Sequence, residues 1–257
     1  MKHTKTPLVV GNWKMNPTTL AAAKQLFMDV RKAVRKIDDV MTVVAPPLVF
    51  LSDVSRLSPS GRVPLSAQNI WHEASGAQTG EVSAPMIASA GATYTIIGHS
   101  ERRANGETDE VVAAKMAAAH KCKLIPILCV GEVVRDEGGQ YFSDIETQLK
   151  HALAQRKKAE VARTVVAYEP IWAIGSGKTP SGADIYEMRL FIEKCVTKLF
   201  DRTTARKMTI LYGGSVNADN AAELFREGDV HGFLVGGASL QADSFAGICK
   251  AVRSVRT

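Results

Sequence analysis

Strand-like and helix-like stretches alternate through the whole chain, and that alternation limits the folds open to it. Eight short apolar or β-branched runs recur at residues 8–10, 41–45, 64–67, 94–97, 124–130, 164–168, 208–212 and 232–235. Between them lie alanine-, lysine- and glutamate-rich stretches with helical spacing, among them 20–37, 107–120, 144–158, 184–200 and 244–255. Parallel strands need such crossovers. Eight of them with no long linker and no break in composition favour an α/β fold in which a closed (β/α)8 barrel spans residues 1–257 as one catalytic domain. A doubly wound open sheet is the runner-up. The 257 residues are about the length at which such a barrel closes. Apolar residues make up 46% and charged residues 23%, ordinary values for a chain that buries a real core.

In a parallel barrel the chemistry gathers where strands end and loops begin. Five of these ends are loaded. Gly11-Asn12-Trp13-Lys14 follows the first run, Gly98-His99-Ser100-Glu101 the fourth, Glu169 the sixth, Gly213-Gly214-Ser215 the seventh and Gly236-Gly237 the eighth. The second end, Pro46-Pro47, has no reactive group.

The segment AYEPIWAIGSGKTP, residues 167–180, runs an apolar strand into a lone carboxylate and then into a proline-hinged, glycine-rich loop. That is the layout of a buried base under a lid. Apolar surroundings penalise the charged carboxylate, and a mobile cover excludes competing water. Alone, the segment equally fits a strand ending in a solvated glutamate and an ordinary turn.

Period-two alternation places Asn12 and Lys14 on one face and Trp13 and Met15 on the other, making Lys14 a candidate anchor for a phosphate or an oxyanion. Taken singly, Lys14 is equally a solvated surface amine. Ser100 reads as a helix N-cap, so His99 lies where positive partial charge accumulates and disfavours imidazolium. A neutral imidazole donates one hydrogen bond and shuttles protons between oxygens, whereas a structural histidine would only satisfy the backbone. The glycine pairs 213–214 and 236–237 let backbone N–H groups approach an anion, and residues 238–240 suit a short helix aimed at it, although glycine pairs also serve plain turns.

Cysteines at 122, 129, 195 and 249 form no CxxC pair and the six histidines lack ligand spacing, so neither a zinc site nor a disulfide framework follows. A reduced, cytoplasmic compartment is expected. The N-terminus lacks a signal peptide's apolar core, and no stretch approaches the ~18–20 apolar residues of a membrane helix. A formal charge of +6 suits an anionic small substrate or merely a basic surface. Nucleic acid is disfavoured, because the basic residues are dispersed without interleaved aromatics for stacking.

Six motifs in order, GNWKMN at 11–16, GHSERR at 98–103, LCVGE at 128–132, AYEPIWAIGSGKTP at 167–180, YGGSV at 212–216 and LVGGASL at 234–240, resemble the triosephosphate isomerase family over nearly the whole chain. The resemblance implies interconversion of dihydroxyacetone phosphate and glyceraldehyde 3-phosphate through an enediolate, without cofactor or metal. It makes Glu169 the base, His99 the neutral electrophile, and Lys14 and Asn12 the groups that stabilise the oxyanion and phosphate. A carboxylate base, a neutral histidine and a closing loop form the combination for which this family is itself the standard example. Backbone at Gly175, Ser215, Gly236 and Gly237 would hold the phosphate, and Pro170 and Trp172 would form the lid's first hinge. A homodimer is implied through the loop around Thr79, which would reach the partner's site near Asn12.

Two positions depart from the family pattern. Gln78 stands where an aromatic residue is common, which bears on the dimer interface. Pro180 stands where the family often has alanine, whose amide donates to the tyrosine matching Tyr212; proline has no N–H to donate. Cys122 and Lys123 also differ from the glycine-rich approach expected before the fifth strand. The rival functions are a Schiff-base barrel aldolase, which would need a buried lysine near the centre of the site, and an inactive phosphate-binding barrel.

Overall fold

The computed structural model describes residues 5–58, 61–173 and 180–255. Among them eight strands alternate with helices: β1 (Leu8–Asn12), β2 (Met41–Ala45), β3 (Ser66–Ala67), β4 (Tyr94–Ile97), β5 (Ile125–Val130), β6 (Val165–Tyr168), β7 (Thr209–Tyr212) and β8 (Gly232–Val235). All the ladders are parallel, in the order β2-β1-β8-β7-β6-β5-β4-β3. The ring closes between β2 and β3 by a single bridge, Val44 to Leu65.

The helices are α1 (Leu20–Ala33), α2 (Leu51–Ser55), α3 (Ala84–Ser89), α4 (Ser100–Ala104), α5 (Asp109–Lys121), α6 (Gln140–Leu153), α7 (Lys158–Val161), α8 (Gly182–Leu199), α9 (Arg202–Lys207), α10 (Ala221–Glu227) and α11 (Ala242–Ser254). The five long stretches expected from spacing are present with shifted ends. Residues 144–158 differ most: α6 begins at Gln140, and a break precedes α7. Asp136 accounts for the early start, because its carboxylate accepts the N–H groups of Gln140 and Tyr141 and caps the first turn. Third-strand pairing covers only Ser66–Ala67 of the expected 64–67. Pro64 has no N–H to give a ladder, though its carbonyl accepts from Val44 at 3.2 Å.

Alternation along the strands builds two apolar layers. Inside the barrel lie Leu8, Val10, Val43, Ala45, Ile96, Ile127, Cys129, Val165, Ala167, Leu211 and Leu234. Between strands and helices lies a larger layer that includes Val9, Val44, Leu128, Val166, Tyr168, Tyr212 and Phe233. The inner parity continues past the strand ends. Val10 leads to Asn12, Ala167 to Glu169, Leu211 to Gly213 and Leu234 to Gly236, so each of these arrives at the mouth of the barrel.

Candidate active site

Asn12, Lys14, His99, Glu169, Gly213, Gly214, Ser215, Gly236 and Gly237 line one cavity of about 160 Å³ at that mouth. This is the space of roughly five waters, the scale of a small metabolite. All the site residues expected from sequence meet here except Gly175, which with the rest of 174–179 lies outside the described residues.

His99 is the exception to strand parity. Counted from Ile96 inside and Ile97 outside, position 99 should face the helices. Gly98 adopts φ 72°, leaves the extended conformation, and turns the imidazole into the cavity instead. A Cβ at Gly98 would meet Val112, Arg103 and the Cys129 carbonyl at 3.1–3.3 Å, so space as well as φ requires glycine. The strand end is braced from beneath: the Glu107 carboxylate accepts the Gly98 N–H at 3.1 Å, and Arg103 Nε donates to the Gly98 carbonyl at 2.9 Å.

The N-cap of α4 is His99 and not the expected Ser100. Its Nδ1 accepts the Glu101 N–H at 3.2 Å, the role a serine oxygen would play. Because Nδ1 accepts, it holds no proton, and the ring is the neutral tautomer with its hydrogen on Nε2. That Nε2 lies 3.2 Å from Glu169 Oε1. The other carboxylate oxygen, Oε2, accepts the Ser100 N–H at 2.9 Å. Glu169 is 2% exposed, so a buried carboxylate is held by one backbone amide and one neutral imidazole, with no cation in contact among the described residues.

Beneath it lies Cys129, inside the barrel. Burial pushes its thiol well up, and the Glu169 charge adds to the effect, so the sulfur stays protonated. Sequence reasoning assigned it no role, since a lone cysteine carries no signal.

The reading of Trp13 and Met15 as partners on one face is corrected. Trp13 is fully buried, whereas Met15 is 88% exposed. Lys14 adopts φ 54°, a costly conformation for a residue with a Cβ, and the chain turns out of the strand there. Its N–H donates to Asn12 Oδ1 at 3.0 Å, and its carbonyl accepts Gln68 Nε2 at 2.8 Å. Gln68 also donates to the Ala45 carbonyl at 2.9 Å, tying the first two strand ends together. Lys14 Nζ pairs with Glu101 Oε1 at 2.6 Å at the rim. Burial pushes Glu101 up, but the hydrogen bond and charge of Lys14 outweigh it and the carboxyl titrates below its ordinary range. Both partners are more than a third exposed, so the pair orients the amine more than it stabilises the fold. No local signal marks Gln68, which stands 54 positions from the residue it holds.

The opposite wall is backbone. Gly236 precedes a single 3-10 turn, Gly237–Leu240, where a short helix was expected at 238–240. Ser239 is fully buried there, donating to the Gly236 carbonyl at 2.7 Å. Gly214 lies against Tyr212, whose Oη would be 2.1 Å from an added Cβ. That hydroxyl is buried and has no partner among the described residues, and Pro180 is buried as well.

Glu132, quoted in a motif but given no role, ties the end of β6 to Trp172. Its Oε1 accepts both Tyr168 Oη and Trp172 Nε1, each at 2.8 Å. Burial pushes its carboxyl up against the lowering effect of those two donors.

A larger space of about 510 Å³ opens beside the cavity and shares Asn12, Lys14 and His99 with it. Met15, Leu48 and Gln68 also line it.

The model of the family described as triosephosphate isomerase matches residues 7–252. A triosephosphate isomerase of Endomicrobium trichonymphae is 42% identical over 248 residues, covering 96% of this chain and 98% of that one. One of Trichlorobacter lovleyi is 44% identical over 248 residues with the same coverage. The crystal structure of triosephosphate isomerase from Bartonella henselae superposes with a TM-score of 0.85 at 33% identity, covering 97% of this chain and all of that one.

Proposed function

The chain belongs to the triosephosphate isomerase family, and on that footing we propose which residues carry its chemistry. The activity is interconversion of dihydroxyacetone phosphate and D-glyceraldehyde 3-phosphate, an aldose–ketose isomerisation of a phosphorylated triose. Glu169 is the base that takes a proton from the carbon beside the carbonyl and returns it to the neighbouring carbon. His99 donates its Nε2 hydrogen to the substrate oxygens and moves a proton between them. As a neutral donor it matches an enediolate oxygen better than an imidazolium would, because it takes its proton back readily. Lys14 and Asn12 meet the developing oxyanion and the phosphate. The N–H groups of Ser215, Gly236 and Gly237 receive the phosphate, and Gly175 joins them from the lid.

The observation that carries this reading is the pairing of buried Glu169 with neutral His99 at 3.2 Å, facing a small cavity whose far wall is glycine backbone. For catalysis the carboxylate exchanges the Ser100 amide for the substrate carbon. Closure of the lid over it excludes water and suppresses loss of phosphate from the enediolate. Replacing Glu169 by aspartate tests the assignment, since it keeps the charge and withdraws the oxygen by one methylene. Turnover in a coupled isomerase assay should collapse; unchanged turnover removes Glu169 from the mechanism.

A Schiff-base aldolase is not favoured. Lys14 is ion-paired to Glu101 at 2.6 Å at the exposed rim rather than buried at the centre of the site, and borohydride with a carbonyl substrate should leave it unmodified. The reading includes no cofactor and no metal. Among the described residues no helix is long and apolar enough to cross a membrane, which accords with a proposed cytoplasmic location. A homodimer is proposed through the loop around Thr79. Exposed Met15, Leu48 and Val49, the first two lining the larger space beside the cavity, support a face that another copy covers. Gln78 in place of an aromatic residue removes apolar area from that contact.

A further inference from the structure

Gly131 follows β5 and is pressed against the residue that delivers the carboxylate. A Cβ at Gly131 would lie 1.9 Å from the Glu169 carbonyl oxygen and 2.9 Å from its carbon, so only a bare Cα passes. On either side of Gly131 the chain continues the ladder to β6. The Val130 carbonyl accepts the Glu169 N–H at 2.8 Å, and the Glu132 carbonyl accepts the Ile171 N–H at 3.0 Å. Alternation leaves the N–H and C=O of Gly131 pointing away from β6. There the side-chain amide of Gln148, in α6, takes both: its Oε1 accepts the Gly131 N–H and its Nε2 donates to the Gly131 carbonyl, each at 2.9 Å. One carboxamide thus stands in for a strand edge where β4 has already ended at Ile97.

We propose that Gln148 is a positioning residue for the base: by clamping Gly131 against the Glu169 carbonyl it fixes where the carboxylate stands. The inference rests on Glu169 being the base. Gln148 touches no reacting atom, yet its clamp is two bonds of good geometry on a residue with no room for a Cβ beside the Glu169 carbonyl. Proton transfer is sensitive to this, since a misplacement of about 1 Å costs on the order of a hundredfold in rate.

The test measures kcat, KM for the triose phosphate and thermal unfolding in Gln148→Ala, Gln148→Glu, Gly131→Ala and the double variant Gly131→Ala/Gln148→Ala. Gln148→Ala should lower kcat about tenfold or more with KM within about twofold. Gln148→Glu keeps the shape and the acceptor but sets an oxygen against the Gly131 carbonyl; it should lose activity too, and it serves as the readout if the alanine variant does not fold. Gly131→Ala should lose more. The double variant should be no slower than Gly131→Ala, because both changes cut the same path. Folded Gln148 variants with kcat within about twofold of the parent, losses that multiply, or a loss matching the unfolded fraction would each overturn the proposal. Glu169→Gln separates the two readings: if it is inactive while the Gln148 variants are normal, only the clamp falls; if it turns over normally, the base itself has been misassigned.

Discussion

Across the mouth of the barrel, the side formed by β4, β5 and β6 and the side formed by β7 and β8 are made differently. On the first, chemistry resides in side chains, each held by named partners: His99 by the Glu101 amide, Glu169 by the Ser100 amide, Glu132 by Tyr168 and Trp172. On the second, the wall is glycine backbone at 213–214 and 236–237, to which the proposed mechanism assigns an anion held by N–H groups without a charge of their own. The division fits what the proposed mechanism asks of each half. A proton must leave and return, so its carriers need ionisable groups of fixed orientation. A phosphate must only be held, which backbone N–H groups can do with Lys14 as the one cation lining the cavity among the described residues.

Glu169→Asp tests this contrast most severely, with kcat expected to fall on the order of a hundredfold to a thousandfold at nearly constant KM. A large rise in KM instead would place Glu169 in the binding half. Glu107→Gln comes next and acts through stability. Burial pushes the Glu107 carboxyl up, but the hydrogen bonds and charges of Lys115 and Arg102 outweigh it, and its titration is lowered. A lowered carboxylate contributes stability that is present above its unfolded range, about 4.3, and is lost as pH falls through the folded value. The variant should lose about 3–5 kcal/mol at neutral pH, because it strands buried Lys115, and its unfolding should depend less on acid than the parent's. Chemical denaturation between pH 3 and 7 checks both.

Gly214→Ala probes the backbone half. Its Cβ displaces the Tyr212 hydroxyl, so KM for the phosphorylated substrate should rise about tenfold with kcat little changed. The smallest effect is expected from Tyr212→Phe. The hydroxyl has no partner among the described residues, and Pro180 has no N–H to offer it, so turnover should fall less than about tenfold. A drop of several hundredfold with the fold intact would show that the hydroxyl closes the lid through another group.

How much of this was legible follows the same division. The strands and Asn12, Glu169, Gly213 and Gly236 could be read, because strand parity carries inner residues to the mouth one after another. His99 was found from its motif, but its direction was not legible: it hangs on the φ of Gly98, which the period-two rule does not contain. Met15 was misplaced for the same reason, since the turn at Lys14 breaks parity. Gln68, Glu107 and Gln148 escaped altogether. Each acts on a backbone group that only the closed barrel brings near, and a glutamine in a helix such as α6 announces nothing about the glycine 17 residues before it.

The lone bridge from Val44 to Leu65 also bears on how the molecule tolerates change. Where strands pair over four or five residues, as β1 does with β2 and β8, slipping by one residue would turn every side chain to the wrong face. At the β2–β3 seam it is Gln68 that crosses, donating to the Ala45 and Lys14 carbonyls, so a lengthened or shortened connection there would be felt at Lys14.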